Sequence, residues 1–149
     1  ALGIQMNNID TFNGFASAFE EAVEDDNWTR LEKYLADDAT YLNVGGPDPK
    51  CEGRDAVVAF LKTDVANTDR RFDKRTLAAL SSPVTEGDSL SRQWRCTYSL
   101  SEIPDLVVEG EARYLFENGL IKEIEEEVAS DSMQKLGEWM EKYGDRLHV

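Results

Sequence analysis

Residues 27–61 read NWTRLEKYLADDATYLNVGGPDPKCEGRDAVVAFL, and the order of patterns inside this stretch decides the fold. Trp28, Leu31 and Leu35 recur at three- and four-residue spacing and predict one buried face of a short helix, with Asp26 or Asn27 as its cap. Asp25 and Asp26 then stand where the helix dipole favours negative charge. Over 39–44 the pattern changes to alternation among strand formers, with Tyr41 and Asn43 two apart and therefore on one face. Gly45, Gly46, Pro47 and Pro49 end that strand in a loop. Gly53-Arg54-Asp55 opens a further helix whose buried stripe is Val57, Phe60, Leu61 and Val65.

Upstream, a helix is predicted from Asn7 or Asn8 to about Glu24, with Ile9, Phe12, Phe15, Ala16, Phe19 and Val23 along one face. Downstream the chain reads as strands. One covers 71–80 and ends at Ser81-Ser82-Pro83 and the Glu86-Gly87-Asp88 turn. The next covers 89–100, where Leu90, Trp94, Cys96, Tyr98 and Leu100 share an inward face and Arg92 is the polar exception on it. Over 106–117, Val108, Gly110, Ala112, Tyr114 and Phe116 alternate with an outward set that includes Glu109, Glu111 and Arg113. Asn118-Gly119 marks a type I′ hairpin, which needs two residues that tolerate positive φ. The returning strand turns Ile121, Ile124, Glu126 and Val128 inward and leaves Glu123, Glu125 and Glu127 outside. A last helix is capped by Ser130 or Asp131, presents Met133, Leu136, Met140 and Tyr143, and stops at Gly144.

With 149 residues and no repeats or linkers, the chain is expected to form a single domain over 1–149, large enough for its own core. A net charge of -14 leaves no basic patch for phosphates, so nucleic acid and anionic membrane surfaces are not expected partners. Cys51 and Cys96 have neither metal-ligand nor disulfide spacing, and no metal is expected. The opening ALGIQM is too short for a targeting segment and no run is long enough to span a membrane; the expected location is the cytoplasm.

The Trp-containing helix running into LADDAT, the loop closing with GRDAVVAF and the strand pair RYLFENGLIKEIEEEV resemble, in this order, the nuclear transport factor 2-like superfamily, in particular its SnoaL-like polyketide cyclase and ketosteroid isomerase branches. The resemblance implies an α+β, cystatin-like cone: helices packed on a strongly curved, mostly antiparallel sheet, here with an additional C-terminal helix. It also implies a pocket between helices and sheet, a small apolar or weakly polar ligand, no cofactor, and a homodimer formed through the outward sheet face of Gln93, Arg95, Thr97, Glu109, Glu111 and Arg113.

The same alignment removes most of the superfamily's chemistry. Asn43 stands where ketosteroid isomerases carry their aspartate base, Phe19 where they carry a tyrosine, and Ala112 where they carry the second aspartate. An amide, a phenyl ring and a methyl group cannot replace them. The first two members of the epoxide hydrolase Asp-Arg-Asp set fall on Ala112 and Gly110, and the histidine pair of the dehydratases has no counterpart, His148 being the only histidine. His148 reads as exposed tail. One acid remains: Glu126, at the position of an aspartate in the cyclases and epoxide hydrolases.

Glu126 and Asn43 are therefore the candidate catalytic pair. Phe15, Phe19, Trp28, Tyr41, Phe60, Trp94, Tyr98, Tyr114 and Ile124 are the candidate ligand-binding wall. A carboxyl on an apolar wall has a raised pKa suited to proton transfer. The alternative for Glu126 is a structural pairing with Arg92, Arg75 or a backbone donor, or a side chain that reaches solvent at the end of the sheet. Two functions stay open: a cofactor-free isomerase, cyclase or hydratase, and a non-catalytic ligand-binding or homodimeric association domain.

Overall fold

The computed structural model describes residues 7–45 and 51–149. Residues 1–6 and the expected loop residues Gly46, Pro47 and Pro49 lie outside these. Helix α1 (Asn8–Asp25) is capped by Asn7, whose side-chain oxygen accepts the Asp10 amide at 2.8 Å. Its buried stripe is Thr11, Phe12, Phe15, Ala18 and Ala22. This stripe is rotated from the predicted one. Ile9 is exposed and Phe19 and Val23 lie at its margin, because the small side chains of Ala18 and Ala22 let the helix settle closely on the core.

Residues 29–34 form a 3-10 helix, Thr29–Tyr34, where the spacing predicted an α-helix. Leu35 already pairs with Ile121 as the first residue of a strand, so six residues must bridge the gap. The steeper rise of a 3-10 helix achieves that. Asp25 and Asp26 belong to the end of α1 rather than to a new helix start.

The sheet contains β1 (Leu35–Asn43), β2 (Cys51–Glu52), β3 (Lys74–Ala79), β4 (Val84–Glu86), β5 (Ser89–Leu100), β6 (Ile103–Glu117) and β7 (Leu120–Val128). Its order is β2-β1-β7-β6-β5-β3, with β4 also paired to β5. Among the described residues only β1 and β7 run parallel. The predicted strand over 71–80 begins later, at Lys74. Asp69–Arg71 is a 3-10 turn held by Arg70 Nη1 on the Val23 carbonyl (2.6 Å) and Arg71 Nε on the His148 carbonyl (2.8 Å).

Asn118 and Gly119 both have positive φ, 55° and 77°, as the type I′ turn requires. Just beyond it, Leu115 pairs with Glu123 and Phe116 with Ile121, so Lys122 is an extra residue in β7. This bulge is why Ile121 and Ile124, three apart, both reach the core.

Helix α2 (Arg54–Asn67) buries Val57, Leu61 and Val65, while Phe60 is only partly covered. Helix α3 (Ser130–Tyr143) starts after Ala129, with no side-chain cap. Asp131 instead accepts the amide of Ser132, whose hydroxyl accepts the Glu109 amide across to β6. The buried anchor of α3 is Trp139, absent from the predicted face, with Nε1 on the Pro104 carbonyl at 2.9 Å. Met133 is exposed.

Two apolar cores form among the described residues. One joins α1, α2, β1 and β7. The other gathers Phe72, Leu100, Leu106, Val108, Trp139 and Leu147, and Trp94 packs against both. His148 is exposed but not loose, since its ring contacts Asp73 at 2.5 Å and its amide bonds the Arg71 carbonyl. Asp73 is held below the usual carboxylate range, first by that contact and then by the Ser101 amide.

Candidate functional site

Between the helices and the inward sheet face lies a cavity of about 780 Å³, within the size range of small-molecule sites. Strand pairing sets one polar row across it. Asn43 on β1 pairs with Glu126 on β7, Glu126 with Ala112 on β6, and Ala112 with Arg92 on β5. Paired residues on neighbouring strands point to the same face, so Asn43, Glu126 and Arg92 all line the cavity, with the single methyl of Ala112 between Glu126 and Arg92.

Glu126 is fixed by its neighbour one row away. Trp94 pairs with Gly110, and an added Cβ at Gly110 would lie 2.6 Å from Trp94 Cζ2. The missing side chain lets the indole lie across β6 and donate Nε1–H to Glu126 Oε2 at 3.1 Å. Burial raises the Glu126 carboxyl from its ordinary value to about 7, partly offset by the Trp94 bond and by the charge of Arg92. Neither Arg92 nor Arg75 forms an ion pair with it among the described residues. The structural partner of Glu126 is Trp94.

Asn43 sits at the exposed rim, where its side-chain oxygen accepts the Tyr41 hydroxyl at 3.3 Å. Tyr41 is buried, and burial with the nearby Glu126 charge raises its pKa. Arg92 holds its guanidinium 5.1 Å from the centre of the Phe12 ring, and its Nε is enclosed without an acceptor.

A second polar group is not foreseen by the sequence patterns. Asp69 Oδ2 accepts Arg75 Nε at 2.5 Å and the Tyr98 hydroxyl at 3.2 Å, while Arg75 Nη1 donates to Glu20 Oε1 at 2.6 Å. Asp64 on α2 also faces the cavity, with its carboxyl raised by burial and by Asp69. The available signal is an acid inside an apolar helical stripe: Asp64 between Leu61 and Val65, and Glu20 beside Phe19 and one turn after Ala16.

Of the expected wall, Phe15, Phe19, Tyr41, Trp94, Tyr98, Tyr114 and Ile124 line the cavity. Trp28 and Phe60 stand behind it. Trp28 is buried, edge-on to Phe19 at 5.4 Å, with Nε1 on Asp26, and Phe60 packs against Tyr41 at 5.0 Å. Trp28 belongs to the first core, and Phe60 is a partly buried residue packed against it. Among the described residues no cluster of His, Cys, Asp or Glu could hold a metal ion, and no helix is long and apolar enough to cross a membrane.

Helices closed over a curved mixed sheet, with a sizeable cavity between them, define the α+β pocket fold of the NTF2-like proteins. The pattern that defines the SnoaL-like domain matches residues 16–124, and the chain belongs to that family. Among solved structures it is similar to an NTF2-like protein of unknown function from Burkholderia pseudomallei K96243, with 18% identity, 87% of this chain and 96% of that one covered, and a TM-score of 0.64. A putative SnoaL-like polyketide cyclase from Jannaschia sp. CCS1 gives 14% identity, 90% and 95% coverage and a TM-score of 0.64. TerC, co-crystallised with polyporic acid, gives 12% identity, 88% and 98% coverage and a TM-score of 0.64. No curated protein sequence matches significantly.

Proposed function

We propose that this SnoaL-like domain is a cofactor-free acid/base enzyme of the isomerase, cyclase or hydratase class, acting on an apolar or weakly polar small molecule through Glu126. The observation that carries the reading is the Glu126 carboxyl on the cavity wall, held by Trp94 Nε1 and raised to about 7. Near neutrality such a group is present both as acid and as base, the condition for efficient proton transfer. The Trp94 bond occupies Oε2, so Oε1 is the oxygen that exchanges a proton with a substrate. Asn43, at the rim one strand away, orients a carbonyl or hydroxyl. The co-crystallisation of TerC with polyporic acid supports a small-molecule ligand for this chain as well.

The test does not depend on the identity of the natural substrate. A panel of cyclic and aryl ketones is incubated in deuterated buffer at neutral pH, and loss of the protons next to the carbonyl is followed by proton NMR. The wild type accelerates exchange for at least one ketone, and Glu126→Gln lowers that rate roughly 10²- to 10⁴-fold, the usual contribution of a positioned acid or base. Equal rates in wild type and variant reject the assignment.

A non-catalytic ligand-binding role is the second reading, favoured by the apolar residues Phe19 and Ala112 at positions where the isomerases carry donors. It corresponds to tight binding of a ketone without exchange. In either case we propose a homodimer through the outward sheet face, where exposed Val107 and Leu115 flank the charged positions of β6.

A further inference from the structure

Arg92 is the one cavity-lining cation without a carboxylate partner among the described residues. Arg75 is bound to Asp69 and Glu20, and Arg113, on the outward face, is bound to Glu111, Glu125 and Glu127. Arg92 has the Phe12 ring beneath its guanidinium, and its Nε is enclosed with no acceptor among the described residues. A buried N–H left unpaired is costly, and in native structures it is ordinarily met by something that the protein chain does not supply. Guanidinium geometry further suits a two-oxygen acceptor, because its donors form a planar fork.

The placement of Arg92 says what that acceptor does. Its row runs through Ala112 to Glu126, and Ala112 is too small to separate the two side chains. A ligand oxygen bound at Arg92 therefore brings the adjoining carbon skeleton over Ala112, toward Glu126, with the rings of Tyr114, Phe15 and Trp94 around it.

We propose that Arg92 is the recognition group of this cavity and that the ligand is an apolar, ring-sized molecule bearing a carboxylate, which the guanidinium holds while the rest of the molecule lies against Glu126. The inference rests on reading the cavity as a small-molecule site, but not on Glu126 being catalytic. The opposing consideration is the rest of the lining: Glu20, Asp64, Asp69 and Glu126 outnumber Arg75 and Arg92. An ammonium-bearing ligand is therefore the competing outcome that the experiment has to exclude.

Three probes share one aromatic body and differ in the polar group: naphthalene acetate, naphthyl ethanol and naphthylethylammonium. Each is titrated calorimetrically into the full chain, into Arg92→Leu and into Arg92→Lys, after circular dichroism has shown that the variants are folded. The expected result is that wild type binds the carboxylate roughly tenfold or more tightly than the alcohol, the scale of one charge-assisted hydrogen bond. Arg92→Leu abolishes this preference while still binding the alcohol, and Arg92→Lys, which keeps the charge without the fork, retains part of it. Equal affinities, a preference for the ammonium probe, no binding of any probe, or an undiminished preference in Arg92→Leu overturns the proposal. Turnover is not measured, so these outcomes are separate from the ketone exchange experiment.

Discussion

Glu126 links the chemistry of the site to the stability of the fold. Its carboxyl is displaced from an ordinary 4.5 to about 7, mainly because burial disfavours the charged form. Between those two values the native state keeps a proton that the unfolded chain has released, so this residue's contribution to stability falls as pH rises through the window. Below it the cost vanishes; above it the cost is complete and on the order of 2–3 kcal/mol. Glutamine removes the titration and can still accept the Trp94 N–H through its amide oxygen. Chemical denaturation should therefore find Glu126→Gln about 2 kcal/mol more stable than wild type at pH 8, with the difference closing toward pH 4.5. A difference that does not change with pH would mean that Glu126 is ordinarily solvated.

At the level of elements, α3 closes one end of the cavity, where Met133 and Leu136 contribute to the lining. It is fastened by Trp139, which packs on Phe72 at 5.3 Å and bonds the Pro104 carbonyl. Trp139→Ala should cost about 3–5 kcal/mol and release the helix from the second core. Amide hydrogen exchange should then rise along α3 while β6 and β7 stay protected, and equal protection in wild type and variant would contradict this anchoring role. The sequence pattern of α3 points to Met133 and passes over Trp139. A helix with apolar residues at 133, 136, 139, 140 and 143 offers two overlapping faces, and only the position of β6 selects between them. The sheet is more legible, because alternation along β5 and β6 and the Asn118-Gly119 turn fix register locally. The 3-10 helix is not, since three-four spacing does not reveal how few residues separate α1 from β1. The same distinction holds at the site. Glu126, Trp94 and Tyr114 follow from strand alternation, whereas the Asp69–Arg75–Glu20 group joins residues from α1, the turn after α2 and β3, which no local pattern connects.

For the whole molecule, the proposed homodimer places its contact on the outward sheet face. Arg113 binds Glu111, Glu125 and Glu127, and Arg95 binds Glu109, so two guanidiniums offset part of the charge of the four carboxylates they touch on this face. Paired charges lower the repulsion that a net charge of -14 otherwise imposes when two copies meet. In the proposed dimer the exposed Val107 and Leu115 contribute apolar area to the contact. Sedimentation at micromolar concentration should accordingly return twice the chain mass. Placing glutamate at both 107 and 115 should return the single-chain mass, because burying four unpaired carboxylates across a two-fold axis is unfavourable. A wild type that sediments as a single chain rejects the dimer. A doubly substituted chain that still sediments as a dimer moves the contact to another face, and since Glu126 and Arg92 open to the opposite side of the sheet, neither outcome alters the reading of the cavity.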